Sequence, residues 1–476
     1  MLPFIRLAII ATVVFFSFSY VVSAATINVN SDSDANTGCT LRAAVGSVNS
    51  GTLIQGCQNT GGNFGDEDQI DFTVTAVRDL DTAVIITEDV MINPNGNRVT
   101  INGDGDERIF TIDGDGAIDV TLENLVLEGG NTASSGGAIN LVSEDEDEDE
   151  VSSLVINNSV IRNNSAGLNG GGISILEGSI TLNNTTVSGN TAGVNGGGIE
   201  AGRITGTITD INRTNLSLIN STISKNTAGM NGGGVLASFT VSSVNSTISG
   251  NHADDVGGGV HSPFNPTIFI NSTITDNSAN NSAGGIYVEG RFGNRSSIFE
   301  LENTLISGNT APEAAEIRIS TVNTLFGLLS IFIDWQNSLI GDSGKTSSQA
   351  FLATVTSQGQ TTPITEFTIN DFSVIATSDG NNPTSLENIL APLANNGGPT
   401  MTHAIVNTSP AINAGDCTPT SGNNFPEVDQ RGEPRIQSTA CDIGAFESEF
   451  SAPAPIQDET FFIVPLPNDR AVVIPL

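Results

Sequence analysis

One arm of a repeated unit keeps its length along this chain while the other varies. An asparagine recurs at Asn124, Asn158, Asn184, Asn220, Asn245, Asn271 and Asn303, with Asn337 as a weaker eighth member. Three residues after each stands an aliphatic: Leu127, Ile161, Val187, Ile223, Ile248, Ile274, Ile306 and Ile340. Three further on comes a second asparagine in most units: Asn164, Asn190, Asn226, Asn251, Asn277 and Asn309. A glycine-rich turn follows, as in "NTAGVNGGGI" (Asn190–Ile199), and ends on an aliphatic at Ile139, Ile173, Ile199, Val235, Val260 or Ile286. From that aliphatic to the next asparagine the length is variable. A rigid part and a variable part in fixed places describe a coil with loops inserted on one side.

The shortest period, about 25 residues, fits one coil of three short strands and their turns. Runs such as "SLVINNSVI" and "SITLNNTTV" alternate apolar and polar residues and favour β-branched side chains, the pattern of strands. The expected fold is therefore all-β, a parallel β-helix solenoid with an N-terminal cap and a C-terminal extension. Stacked coils place like residues above one another, so a stacked asparagine can donate its amide to the next. The expected ladder is Asn158, Asn184, Asn220, Asn245, Asn271 and Asn303. Glycine is required where the corner needs positive φ or where backbones crowd. The GGGI turn is no phosphate loop, because the Lys-Ser/Thr that such a loop needs is absent.

Open solenoid ends need covering. "CTLRAAVGSVN" (Cys39–Asn49) puts Leu41, Ala44, Val45 and Val48 on one helical face and predicts a short helix over the first coil. Strand-like segments then begin near Gln69. "MLPFIRLAIIATVVFFSFSYVVSAA" has a basic residue, an apolar run and a small-residue site, and predicts a secretory signal over 1–24, cut after Ala24. No later segment is long and apolar enough to span a membrane. Four cysteines in an exported chain favour disulfides. Neighbour pairing, Cys39–Cys57 and Cys417–Cys441, is the simplest of three connectivities, each closure worth about 3 kcal/mol in the chain-entropy account.

With 52 acidic against 16 basic residues, the surface repels nucleic acid. "HADDVGGGVH" holds His252, Asp254, Asp255 and His261, candidates for carboxylate or imidazole chemistry on a coil face. Alignment with the other repeats makes substitution in a solvent-facing turn the plainer reading. "NGDGDERIFTIDGDG" offers Asp104, Asp106, Asp113 and Asp115 as oxygen ligands suited to Ca²⁺. It matches no EF-hand or nonapeptide loop, and Asp-Gly turns account for it. No cofactor is required. The acidic run Glu144–Glu150 reads as a solvated loop. The three long insertions, after Ile139, Ile199 and Ile286, leave one edge of the coil. They bring the acidic run, then Arg203, Asp210 and Arg213, then Arg291, Phe292 and Arg295. Loops on one face of a solenoid form a natural binding surface. After the signal, the only Trp and Tyr are Trp335 and Tyr287, which counts against a rich sugar cleft.

These residues also carry a family resemblance. "CTLRAAV" resembles the CSLREAI motif of secreted bacterial β-helix proteins, departing at Thr40, Ala43 and Val45. "GGGI" and "ISGN" resemble the repeats of polymorphic outer membrane proteins, with Ile or Val in place of Phe. "LANNGGPTMTHAIVNTSPAINAGDC" (Leu393–Cys417), "DQRGEPR" (Asp429–Arg435) and "CDIGAFE" (Cys441–Glu447) resemble the choice-of-anchor Q domain of bacterial surface proteins. The resemblance implies a right-handed parallel β-helix at or beyond the cell surface and carries over no catalytic residues. The expected organisation is a signal at 1–24, a cap at 25–65, β-helix repeats at 66–345, an irregular connection at 346–386, a choice-of-anchor Q-like domain at 387–448 and a tail at 449–476. In that tail "FFIVPL" and "AVVIPL" predict a hairpin. The expected function is adhesion or extracellular binding of a glycan or protein, without catalysis. A polysaccharide lyase or hydrolase and a structural stalk are the alternatives.

Overall fold

The computed structural model describes residues 24–451 apart from 36, 66, 79, 115, 143–150, 203–213, 264–265, 291–296, 324–330, 358–359, 364–373, 381, 418–425 and 438–439, together with 462–466 and 470–474. It is a parallel β-helix. Successive coils stack their strands into three parallel sheets, two of eleven strands and one of ten. Sheet 1 runs from Thr26–Val29 to Ile331–Gln336, sheet 2 from Ala76–Val77 to Val374–Ala376, and sheet 3 from Val84–Ile86 to Phe351–Ser357. A ladder of two-residue strands, Asn131–Thr132 to Ser278–Ala279, lies between sheets 2 and 3. Neighbouring coils pair in parallel, and among the described residues the one antiparallel addition to these sheets is Gln360–Pro363 on Phe351–Ser357.

The register stacks like on like. Ile161, Val187, Ile223, Ile248, Ile274, Ile306 and Ile340 follow one another through sheet 2, and all are fully buried. Ile139, Ile173, Ile199, Val235, Val260 and Ile286 do the same in sheet 3. Burial of such columns removes apolar surface from water coil by coil.

The glycine corner has two separate causes. In Asn169–Ile173 the first glycine, Gly170, has φ +60. A Cβ on the second, Gly171, would stand 2.3 Å from the carbonyl oxygen of Gly197 in the next coil. The same holds at Gly196 and Gly197, where φ is +62 and the clash distance to Gly233 O is again 2.3 Å. A side chain at the second position would push the coils apart.

Two polar rails line the interior, and neither is the ladder expected at the first asparagine. Asn158, Asn184, Asn220, Asn245, Asn271 and Asn303 all have φ near +50. They form the left-handed turn from sheet 1 to sheet 2, a conformation that asparagine tolerates. Of these, Asn184 donates to Asn158 at 3.3 Å and Asn245 to Asn220 at 3.2 Å, but the row does not continue. Asn303 Nδ2 donates to Asp416 O, and the Asn271 amide has no partner.

The continuous ladder is the second asparagine. Asn164, Asn190, Asn226, Asn251 and Asn277 each donate Nδ2 to the Oδ1 of the next member at 2.8–3.0 Å. The backbone N–H of each donates to the same oxygen. The second Nδ2 hydrogen goes to the aliphatic carbonyl of the preceding coil, as from Asn226 to Val187 O. Glu316 ends the chain of donors, accepting from Asn309 N, Asn309 Nδ2 and Gly308 N. The other rail is hydroxyl: Ser159, Thr185, Ser221, Ser246, Ser272 and Thr304 each accept the backbone N–H of the equivalent residue one coil earlier. The physical reason is the left-handed turn. It sends the first asparagine's side chain away from the interior, so the residue after it and the asparagine six further on point inward.

At the N-terminal end, helix Leu41–Ser50 is capped by Thr40, whose side chain accepts from Ala43 N, and ends at Gly51 with φ +61. Leu41, Ala44, Val45 and Val48 are buried, as the periodicity predicts. Arg42 donates to the carbonyls of Thr82 and Ala83, and Asn49 bonds Ile85 O and Thr87 N. The helix thus occupies the open edge of sheet 3. Cys39–Cys57 and Cys417–Cys441 are both disulfide-bonded. The solenoid is longer than its repeats suggest: Thr26–Val29 begins sheet 1, and Phe351–Ser357 and Val374–Ala376 continue sheets 3 and 2 through the segment expected to be irregular. Strands Phe462–Leu466 and Arg470–Ile474 pair antiparallel, the hairpin expected of the tail. Among the described residues no helix is long and apolar enough to cross a membrane.

Candidate functional site

Sheet 3 carries an outward column in which register fixes every neighbour: Thr111, Asn140, Ser174, Glu200, Leu236, His261, Tyr287, Arg318 and Leu352. Its middle concentrates polar and aromatic chemistry. Ser174 Oγ donates to Glu200 Oε2 at 2.7 Å. His261 stacks on Tyr287, with ring centroids 5.1 Å apart and planes 17° apart. Glu289, two residues beyond Tyr287 on the same strand, lies 3.8 Å from His261 Nε2. Arg318, one coil further, pairs with Glu313 at 2.5 Å and reaches Thr354 Oγ1 at 3.5 Å.

Burial makes this arrangement informative. His261 is 6% exposed, and neither ring nitrogen has a hydrogen-bond partner. An imidazole so placed is costly unless something else meets it. Burial drives the Tyr287 hydroxyl well above the usual tyrosine pKa, with help from the negative charge and hydrogen bond of Glu289; Ser320 and Arg318 pull the other way. Tyr287 therefore stays protonated and donates. A buried tyrosine hydroxyl beside an unpartnered imidazole marks a candidate site.

The sequence joined His252 and His261 in one cluster, but the corner separates them. His252 lies on the two-residue strand His252–Ala253, where Nδ1 meets Ser278 Oγ at 2.8 Å and Nε2 meets Asp254 at 3.2 Å. Asp254 and Asp255 accept from Asn280 and Asn281 of the next coil. This is a hydrogen-bonded surface turn. Asp104 and Asp106 follow strand Val99–Asn102, whereas Asp113 follows Phe110–Ile112 on the next side of the coil. Asp115 lies outside the described residues, and among those described no three His, Cys, Asp or Glu side chains could hold a metal ion. The acidic run and the six insertion residues Arg203, Asp210, Arg213, Arg291, Phe292 and Arg295 also lie outside the described residues. The strands before them, Ile139–Leu141, Ile199–Ala201 and Ile286–Gly290, all belong to sheet 3. Trp335 is in the core, edge-on to Phe299 and Phe351. Tyr287, by contrast, stands on the outward column.

A second polar cluster unites two motifs of the C-terminal segment and serves structure. Asp429, fully buried, accepts from Arg431 N, Arg431 Nε, Glu433 N and Glu447 N. Arg431 lies 3.6 Å over the Phe446 ring. Arg435 donates to Gly444 O and, across to the solenoid, to Asn245 Oδ1 at 2.7 Å. Burial pushes the Glu447 carboxyl up to about 8 and raises Asp442, while it lowers Arg435 to about 10. Every member faces another member or the solenoid, so the cluster is a buried joint between two parts of the chain.

No family model matches this chain, and no curated protein matches it.

Proposed function

We propose that the chain is a secreted or surface-displayed β-helix protein that captures an extracellular ligand on sheet 3 without transforming it. What carries the reading is His261, nine-tenths buried with both ring nitrogens free, in the one column from whose strands all three insertions depart. The coils behind it are stapled by interior ladders, so the face is rigid and binding spends little on ordering it. Sheet 2 is occupied over much of its length by the C-terminal segment, which leaves sheet 3 as the outward face that carries the unbonded His261 imidazole. The resemblance of Cys39–Val45 to CSLREAI and of Leu393–Glu447 to the choice-of-anchor Q domain supports export to the cell surface. Two disulfides suit that oxidising compartment.

The test pairs capture with turnover. Protein beginning at Ala25 is presented with a panel of polysaccharides and matrix proteins, and both retention and polymer length are followed. Retention at constant length is expected. It should be lost in Leu236→Arg, on sheet 3, and kept in Thr181→Arg, on the outward side of sheet 1. Shortened polymer would replace this reading with the second one, a lyase or hydrolase. The contact of Tyr287, Glu289 and His261 favours that alternative, because it assembles a proton donor beside a carboxylate.

A further inference from the structure

We infer that the middle of the sheet 3 column, at His261, Tyr287 and Glu289, is a subsite for a neutral, hydroxyl-rich saccharide. The inference rests on the ligand-capture reading above and names its chemistry. A neutral imidazole has one N–H donor and one acceptor nitrogen. At His261 both are unbonded, and the carboxylate of Glu289 stands 3.8 Å away. A ligand that satisfies this set must donate and accept within a few ångströms, which vicinal hydroxyls do and which a carboxylate, phosphate or sulfate does not.

Charge excludes the anionic sugars. Glu200, Glu289 and Glu313 stand along the column, and among the described residues its one guanidinium, Arg318, pairs with Glu313 and reaches Thr354 Oγ1. The whole chain carries a formal net charge of -36. Uronates and sulfated glycans would meet repulsion both at a distance and on contact. Size is limited as well. Tyr287 is the one aromatic platform of the column, stacked on one side by His261, so the site suits one or two sugar units and not a long cleft.

The experiment is calorimetric titration of the full chain with cellohexaose, laminarihexaose and mannohexaose, and with hexagalacturonate and a chitosan hexamer as charged contrasts. At least one neutral hexasaccharide should bind. His261→Ala and Tyr287→Ala should each weaken it by about tenfold or more, which corresponds to about 1.4 kcal/mol. His261→Gln, whose amide also offers a donor and an acceptor, should stay within about threefold of the parent. Circular dichroism and thermal unfolding of each variant separate a lost contact from a lost fold. Failure of all three neutral sugars, tighter binding of either charged hexamer, or an unchanged affinity in both alanine variants would overturn the inference. Continued capture of some other polysaccharide or protein by sheet 3 would then leave the broader reading standing. Loss of all capture would remove both.

Discussion

Sheet 2 repeats one tripeptide in two environments. Thr186-Val187-Ser188 has its central residue buried and both hydroxyl residues half-exposed. One coil later, Thr222-Ile223-Ser224 is buried throughout, as are Thr247-Ile248-Ser249 and Thr273-Ile274-Thr275. The difference is the C-terminal segment, which folds back along these coils. Thr222 donates to Met401 O and Thr247 to Gln430 Oε1, each at 2.6 Å. Ser249 meets His403 Nε2 at 2.8 Å, and Ala445 N donates to Thr273 Oγ1 at 3.0 Å. Gln430 also donates to Ser221 O, Thr222 Oγ1 and Thr400 Oγ1. The same local sequence thus serves as bare surface or as half of an internal interface. Contacts from more than 150 residues away decide which.

The strongest way to break both halves together is through what they share. Asn251→Ala removes an acceptor and strands the Asn226 N–H and amide inside the coil. Two buried unsatisfied donors cost roughly 2–6 kcal/mol, and chemical denaturation should show the loss. Next comes the covered half alone. Arg435→Ala removes the buried donor to Gly444 O and Asn245 Oδ1 and the cation nearest Glu447, while Asp429 keeps Arg431. Each buried acceptor so left unmet costs about 1–3 kcal/mol. Limited proteolysis should then cut the C-terminal segment first while the bare coils hold.

The joint should also respond to pH. The Glu447 carboxyl is raised to about 8 when folded, chiefly by burial, from an ordinary value near 4.5. A raised acid binds its proton more tightly in the folded chain. Its contribution is therefore complete below about pH 4.5 and is lost as pH rises through about 8. Thermal stability should fall across that window, and Glu447→Gln should flatten the fall. The smallest effect sharpens the contrast within sheet 2. Thr247→Val forfeits the bond to Gln430 and should cost about 1 kcal/mol. Thr186→Val, on the bare coil, should stay within about 0.5 kcal/mol.

Much of this fold was legible because each coil repeats the same demands. The aliphatics three residues past each asparagine, the glycine corner and the amphipathic cap helix follow from local physics, and the structure places them as expected. The interior ladder was harder to read. Asn158 and Asn164 belong to the same repeat and differ only in that the first turns left-handed, which sends its side chain outward. Nor did the pattern reveal the strands Phe351–Ser357 and Val374–Ala376, which lack a glycine corner to announce a coil. His252 and His261 looked like one cluster because they are near in sequence, yet the corner between them puts one on a surface turn and the other on sheet 3. The partners of His261, Tyr287 and Glu289, come from the next coil, a distance that only register supplies. The back-folded segment was invisible for the same reason: Gln430 and Arg435 find solenoid partners 164 to 209 residues away.

The C-terminal segment belongs to the solenoid's surface, and its cover over sheet 2 leaves sheet 3 as the face proposed for ligand capture. A double-mutant cycle on Asn245 and Arg435, whose side chains meet at 2.7 Å, tests this most directly. Unfolding free energies would be measured for Asn245→Ala, Arg435→Met and the pair. The account predicts a coupling energy of about 1 kcal/mol or more. Additivity within about 0.3 kcal/mol would contradict it and return the C-terminal segment to the status of an independent appendage.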